Sequence, residues 1–138
     1  MKILVCGGSG FIGSAFIHKY LKSNSELSIT NIDNLTIGSN QENLKDIQSN
    51  NQYNFIQDNM QNEPVISNLV KDFDIVVNFA AESHVDRSIS NPKPFVETNV
   101  FGTYSLLEAI RKHDKLFIHV STDEVYGDAD HQESFNEM

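Results

Sequence analysis

The chain has 138 residues, and its 39% apolar and 21% charged residues are typical of an ordinary folded protein rather than a disordered one. This length predicts one domain that can bury a core of its own. Ten Lys and Arg against nineteen Asp and Glu give a net charge of −9, which argues against a nucleic-acid partner. An anionic ligand would therefore have to be bound by backbone N–H groups and helix N-termini.

No apolar run is long enough to cross a bilayer, so we expect no membrane partner. The N-terminus indicates a strand that ends at a glycine turn rather than a signal peptide. Cys6 is the single cysteine, which excludes an internal disulfide, and we expect it to be a small buried apolar residue. The histidines lack the spacing of a metal site, so no metal is expected. Together these features predict a cytoplasmic protein.

Short β-rich segments alternate with longer segments of helical periodicity. The predicted strands are Lys2–Cys6, Ser28–Asp33, Tyr53–Gln57, Asp74–Phe79 and Lys115–Ser121. The predicted helices are Phe11–Asn24, a short one around Gln41–Gln48, one with Pro64 in its first turn, and Phe95–His113, with Val96, Val100, Leu107 and Ile110 on one face. This order predicts the α/β class and a Rossmann-type doubly wound parallel sheet. Since the tail after Gly127 is polar, the sheet is expected to be incomplete, with about five strands.

A glycine-rich turn joins the first strand to the first helix. Gly7, Gly10 and Gly13 are spaced as needed for a tight turn, close approach of a pyrophosphate, and helix–strand packing respectively. Asp33 ends the second strand 20 residues after Gly13, where a carboxylate can accept hydrogen bonds from an adenosine ribose. A glycine turn alone can be merely structural. Because this turn follows a strand, opens a helix and is followed by an acidic residue at the end of the next strand, it favours a dinucleotide-binding site. Because no Lys or Arg closely follows Asp33, NAD is favoured over NADP.

Polar clusters follow the fourth and fifth predicted strands. They are Ala80–Ser88 and Ser121–Gly127. In open parallel sheets, ligands bind beyond the carboxyl ends of the strands. Asp123 and Glu124 are adjacent carboxyl groups that could divide the roles of acid and base. The residues alone leave open that both clusters are solvated loop starts.

Four motifs carry a resemblance over nearly the whole chain. They are Asn-Ile-Asp-Asn-Leu-Thr at 31–36, Ala-Ala-Glu-Ser-His-Val-Asp-Arg-Ser-Ile at 80–89, Glu-Thr-Asn-Val-Phe-Gly-Thr at 97–103, and Ser-Thr-Asp-Glu-Val-Tyr-Gly at 121–127. With them the chain resembles the dTDP-glucose 4,6-dehydratase family of the extended short-chain dehydrogenase/reductase superfamily. Such enzymes oxidise C4 of the sugar with NAD, eliminate water across C5 and C6, and return the hydride to C6. Related epimerases and decarboxylases share the glycine turn but usually lack Thr-Asp-Glu.

The resemblance implies three sets of site residues. Asp123 would protonate the departing C6 hydroxyl, Glu124 would take the C5 proton, and Thr122 would hydrogen-bond the C4 oxygen. The substrate, dTDP-glucose, would contact His84 and Thr122. NAD would be bound by Gly7, Gly10, Phe11, Ile12, Gly13, Asp33, Asn34, Thr36, Asp58, Asn59, Ala80, Ala81, Ser83 and Thr98. The implied product, a 4-keto-6-deoxy sugar nucleotide, belongs to dTDP-rhamnose biosynthesis.

The chain also departs from the family pattern. None of its four tyrosines is followed four residues later by Lys, so the Tyr-x-x-x-Lys pair that the family uses at the C4 hydroxyl is missing. Asn59 and Ile37 differ from the commonest residues at their positions. We therefore expect residues 1–138 to be a truncated NAD-binding Rossmann domain, without the sugar-nucleotide-binding domain and inactive alone. Family members are usually homodimers; for this chain dimerisation is left open, as is a non-catalytic NAD-binding module.

Overall fold

A computed structural model describes residues 1–128 and 134–136. The strands in these residues are β1 (Lys2–Cys6), β2 (Ser28–Asp33), β3 (Tyr53–Gln57), β4 (Ile75–Asn78) and β5 (Leu116–His119). The α-helices are α1 (Phe11–Ser23), α2 (Glu63–Val70), α3 (Val85–Ser90), α4 (Lys93–Phe95) and α5 (Thr103–His113). A 3₁₀ helix (Gln41–Ile47), a π-helical segment (Val96–Gly102) and a 3₁₀ turn (Asp123–Tyr126) are the other helical elements of this part of the chain.

All strand pairs are parallel, and the strand order is β3-β2-β1-β4-β5. The chain first adds strands on one side of β1 and then, from β4 onward, on the other side. A doubly wound sheet of this order leaves a crevice at the carboxyl end of β1, where the two directions part. The predicted Rossmann-type fold is confirmed.

Two apolar clusters cover the two faces of the sheet. On one face, Ile17 and Leu21 of α1 pack with Leu44 of the 3₁₀ helix against strand residues that include Val5. On the other face, residues of α2 and α5 pack on the sheet, with Leu106 fully buried. β1 is buried from both sides, which explains its continuous apolar sequence.

The predicted strands β1, β2 and β3 have the observed bounds, whereas the last two are shorter than predicted. β5 was expected over Lys115–Ser121, but only Leu116–His119 pair with β4, whose residues Ile75–Asn78 are their partners. β5 lies at one end of the described strand order and has no second neighbour there, so its length follows that of β4. α1 ends at Ser23, one residue before the predicted end.

The predicted helix Phe95–His113 is interrupted by a π-helical segment, and the prediction of its face was wrong. Val96, Val100 and Leu107 are 46%, 56% and 48% exposed, while Ile110 packs against the core. A π turn contains more residues than an α turn, so the 3.6-residue spacing does not hold across it. α3 was not predicted either, because its short sequence lies inside a polar cluster.

Cys6 is fully buried in the second cluster, as predicted, and burial raises the pKa of its thiol to about 12. Within the described ranges, no helix is both long and apolar enough to span a membrane. Across the same ranges, no three His, Cys, Asp or Glu side chains are grouped so that they could hold a metal ion.

Candidate functional site

A cleft of about 300 Å³ opens at the carboxyl ends of β1, β2 and β4, a volume at the lower end of small-molecule sites. Its floor is the glycine turn with the start of α1. One wall follows β2 and β3, and the other follows β4. The lining residues are Gly7, Gly10, Phe11, Ile12, Gly13, Ile32, Asp33, Asn34, Thr36, Ile37, Gly38, Ser39, Asp58, Asn59, Met60, Phe79, Ala80, Ala81, Glu82, Ser83, His84 and Thr98.

The three glycines of the turn have different surroundings. Gly7 has a φ of +74°, and a Cβ there would lie 2.6 Å from the backbone of Ala80. A Cβ on Gly13 would lie 2.8 Å from the Cα of Gly8. Gly10 instead has an extended backbone, and the nearest atom to its Cβ position is 3.4 Å away. The protein's own packing therefore requires Gly7 and Gly13, whereas Gly10 leaves space on the cleft side for a ligand.

The N-terminus of α1 faces this space without a side-chain cap. Phe11 and Ile12, in its first turn, are 88% and 60% exposed and line the cleft. The first N–H groups of a helix have no intrahelical partner, and the dipole of a helix adds positive potential at this end. No Lys or Arg lines the cleft within the described residues. This arrangement fits a pyrophosphate held by backbone groups, as the net charge predicts.

Asp33 ends β2 beside the glycine turn and is only 6% exposed. Its Oδ2 accepts a hydrogen bond from the N–H of Ser9 at 2.9 Å, and its Oδ1 accepts one from the N–H of Leu35 at 2.9 Å. Leu35 has a φ of +55°, which is unusual for a residue other than glycine and marks a constrained loop. Each carboxylate oxygen keeps a second acceptor site, so the fixed group can also bind ribose hydroxyls.

The wall after β4 is held by side chains from two neighbouring segments. Asn78, which is fully buried, accepts a hydrogen bond from the N–H of Ala80 at 3.0 Å. Asn99 of the π-helical segment accepts from the N–H of Glu82 at 2.8 Å and donates to its carbonyl at 2.9 Å. The Glu82 carboxylate, 6% exposed, pairs with Arg87 at 3.3 Å. The loop after β4, which the resemblance implies would contact NAD, is therefore held by hydrogen bonds to its backbone and by an ion pair of its Glu82 side chain.

Thr122, Asp123 and Glu124 lie outside the cleft, after the carboxyl end of β5. Thr122 caps the 3₁₀ turn: its Oγ1 donates to Asp123 at 3.2 Å and accepts from the Glu124 N–H at 3.4 Å. All three side chains are exposed. The segment is tied to β4 by a 3.1 Å hydrogen bond from the Val120 N–H to the Asn78 carbonyl. Their catalytic roles stay predictions.

Every residue that was predicted to bind NAD lines the cleft, and so does His84. Sequence reasoning missed other lining residues: Ile32, Ile37, Gly38, Ser39, Met60, Phe79 and Glu82. Most of these are chain neighbours of predicted site residues, so widening each motif by a few positions would have found them. Asn31, Tyr53 and Asn99, which hold the walls from behind, were also missed as site residues. The signal for Asn31 is an amide in a strand whose isoleucines, Ile29 and Ile32, indicate burial.

The chain was compared with known proteins. The family model described as GDP-mannose 4,6 dehydratase matches residues 4–138. The dTDP-glucose 4,6-dehydratase of Mycobacterium tuberculosis is 44% identical over 128 residues, which are 93% of this chain and 38% of that protein.

Two solved structures share the fold at similar identity. The dTDP-glucose 4,6-dehydratase of Bacillus anthracis in complex with NAD has a TM-score of 0.87 at 41% identity, covering 99% of this chain and 42% of the other. The dTDP-glucose 4,6-dehydratase of Streptomyces venezuelae with NAD and TYD bound also has a TM-score of 0.87, at 38% identity, covering 94% and 42%. This chain thus spans about two fifths of the length of these relatives. The resemblance seen in the motifs is confirmed, and the chain belongs to the GDP-mannose 4,6 dehydratase family.

Proposed function

We propose that this chain forms the NAD-binding Rossmann unit of a dTDP-glucose 4,6-dehydratase, a lyase that yields dTDP-4-keto-6-deoxyglucose. One observation carries the proposal: the uncapped N-terminus of α1, the open face of Gly10 and the carboxylate of Asp33 converge on one cleft. NAD bound to two solved relatives supports the same choice of cofactor.

Different described residues would bind different parts of NAD. The first turn of α1 would receive the pyrophosphate, with Gly10 allowing backbone contact. Asp33 would accept hydrogen bonds from the adenosine ribose, while Asp58 lies after β3 on the same wall and would contact the adenine. A 2′-phosphate would meet the Asp33 carboxylate with no Lys or Arg among the described lining residues, so NAD is preferred to NADP.

The chemical step would use the residues after β5. NAD, when bound, would supply the means to take up a hydride and to return it. Asp123 would donate a proton to the C6 hydroxyl as it leaves as water, and Glu124 would accept the C5 proton. Thr122 would hydrogen-bond the oxygen on C4. Because these side chains are exposed here and the sequence lacks the Tyr-x-x-x-Lys pair, we propose that this chain alone does not turn over.

Four further properties belong to the same proposal. The active protein would work in the cytoplasm and supply a 4-keto-6-deoxy intermediate to dTDP-rhamnose biosynthesis. Its substrate would be the sugar nucleotide dTDP-glucose, contacted by His84, which lies in the cleft. It would associate as a homodimer, and the exposed apolar side chains of Val96, Val100 and Leu107 support this.

Calorimetric titration of the chain with NAD, with NADP as the comparison, tests the proposal. We expect NAD to bind at least about tenfold more tightly than NADP, which corresponds to about 1.4 kcal/mol. Gly10→Ala provides the matched variant, because its methyl group would meet only the Gly7 carbonyl oxygen, at 3.4 Å, in the protein but would also meet a bound pyrophosphate. Absence of NAD binding by the wild-type chain, or unchanged binding by Gly10→Ala, would contradict the proposal.

A non-catalytic NAD-binding module is the second candidate. The exposure of Thr122, Asp123 and Glu124 outside the cleft is the observation that favours it. Since this chain alone is expected not to turn over, conversion of dTDP-glucose is measured with the active protein of which the chain would form the NAD-binding unit. The absorbance of the 4-keto product in alkali then separates the two. Turnover that Asp123→Asn abolishes would exclude the module.

A further inference from the structure

We propose that Asn31, anchored by the hydroxyl of Tyr53, is a positioning residue that presets the glycine turn for the dinucleotide. The proposal rests on the NAD-binding function proposed above and extends it to residues behind the cleft. Neither Asn31 nor Tyr53 lines the cleft, so both would act through the backbone of the turn.

Asn31 is a fully buried amide in the middle of β2. Its Oδ1 accepts a hydrogen bond from the N–H of Gly8 at 2.9 Å. Its Nδ2 donates to the Oγ of Ser9 at 3.1 Å and to the hydroxyl of Tyr53 at 3.2 Å. Both amide hydrogens and the amide oxygen are therefore used, which offsets the unfavourable burial of this polar group.

The contacts of Asn31 are directed at the turn rather than at the sheet. A Cβ on Gly8 would lie 2.6 Å from the Cγ of Asn31, so the turn packs directly on this amide. Asp33, two residues further along the same strand, holds the next N–H, that of Ser9. Since alternate residues of a strand point to the same side, Asn31 and Asp33 can accept hydrogen bonds from two successive peptide groups of the turn.

Ser9 links these hydrogen bonds to the loop that follows β2. Its carbonyl accepts hydrogen bonds from the N–H of Asn40 at 3.0 Å and from the Nδ2 of Asn43 at 3.1 Å. With its N–H on Asp33 and its Oγ on Asn31, every polar group of Ser9 is engaged, and the residue is fully buried. A shift of Asn31 would therefore move both the turn and the orientation of Asp33.

Tyr53 closes the network from β3. Its ring packs in the cluster with α1, and its hydroxyl gives the Asn31 amide a second acceptor inside an apolar region. Burial is the main cause that raises the pKa of this hydroxyl above its ordinary value of 10.0, so it stays protonated at neutral pH. Loss of the hydroxyl would free the amide to rotate away from Gly8, since one of its hydrogens would lack a partner.

Tyr53→Phe removes one oxygen and keeps the packing, so it is the sharpest test in the full chain. We expect it to weaken NAD binding by about three- to tenfold in calorimetry, as the loss of one buried hydrogen bond predicts. The same variant should speed hydrogen exchange of the Gly8 amide in the chain without NAD. Tyr20→Phe, a tyrosine 41% exposed on α1, is the matched control and should change neither readout.

Ser9→Ala provides a second route should Tyr53→Phe fold poorly, because it removes the other acceptor of the Asn31 amide. Affinity is compared only at temperatures where each variant is fully folded, so that lost stability does not count as lost binding. Faster Gly8 exchange with weaker NAD binding supports the inference. Wild-type affinity and Gly8 exchange in a folded Tyr53→Phe variant would overturn it. A wild-type chain that fails to bind NAD contradicts the proposed function, while Gly8 exchange still decides the role of the network.

Discussion

The carboxylate of Asp33 accepts a hydrogen bond from the backbone N–H of Ser9 at 2.9 Å, which joins the end of β2 to the glycine turn after β1. The residue that would contact the ribose thus also fixes the loop that would contact the pyrophosphate. Because the other carboxylate oxygen holds Leu35, the geometry of the cleft depends on a charged acceptor at this position.

Asp33→Asn tests this double role. An asparagine has one acceptor oxygen, so one of the two backbone N–H groups would face an NH₂ group. We expect the free energy of unfolding to fall by about 1–3 kcal/mol, together with NAD affinity. Denaturant unfolding and calorimetry measure the two effects. Asp74→Asn is the control: Asp74 accepts from the Lys2 N–H at 2.8 Å, at the amino end of β4 away from the cleft, and its loss should leave NAD binding unchanged.

Gly10→Ala and Gly13→Ala should separate binding from folding. The methyl group at residue 10 would lie 3.4 Å from the Gly7 carbonyl oxygen, and the backbone there is extended, so we expect the unfolding temperature to change little while NAD binding is lost. At residue 13 it would overlap the turn, and the surrounding structure would have to shift. Thermal unfolding of both variants decides the point. A strongly destabilised Gly10→Ala would show that residue 10 serves packing rather than ligand binding.

Arg87→Met should weaken the wall after β4. It leaves the buried Glu82 carboxylate without its partner at 3.3 Å. Since Arg87 is 34% exposed, solvent screens the pair, and we expect a loss of about 1–2 kcal/mol rather than the 3–5 kcal/mol of a fully buried pair. Denaturant unfolding measures it. Lys45→Met breaks an exposed pair with Glu42 and should have little effect. Equal losses in the two variants would contradict the account.

The burial of Cys6 predicts a dependence of stability on alkaline pH. Its thiol has a pKa of about 12 in the folded chain against an ordinary value of 9.0, so the thiolate forms first in the unfolded state. This contribution to stability is complete below pH 9.0 and is lost as the pH rises toward 12. Tyr53 shifts in the same direction, so the measurement compares wild type with Cys6→Ala between pH 9 and 11. A steeper fall for the wild type is expected, and parallel curves would contradict it.

Local patterns in the sequence were enough to predict the fold and the part of the cleft that the glycine turn and Asp33 form, whereas other predicted NAD contacts, such as Thr98, were implied by the family resemblance. Strands such as Ser28–Asp33 show in their composition, and Gly7 to Gly13 and Asp33 mark strand ends that a parallel sheet brings together. The bounds of β5 depend on its partner β4, and the face of the long helix depends on a π turn, neither of which has a local signal.

The residues that hold the walls of the cleft from behind could not be predicted, because they too depend on distant parts of the chain. Asn31 reaches Gly8 across 23 positions of the sequence, and Asn99 reaches Glu82 across 17. Such bonds between side chains and a distant backbone follow from the packed geometry and not from spacing along the chain. Residues 129–133 and 137–138 of the polar tail after Gly127 lie outside the described residues.

The most direct test of the central claim is a titration of the ¹⁵N-labelled chain with NAD, followed by the amide resonances of the backbone. We expect the largest shifts at Gly10, Phe11, Ile12 and Asp33, and unmoved peaks at Phe11, Ile12 and Asp33 when NAD is added to Gly10→Ala. Shifts centred on the groove between α2 and α5, near Ser67, or no shifts at millimolar NAD, would show that the cleft at the carboxyl ends of β1, β2 and β4 is not a dinucleotide site.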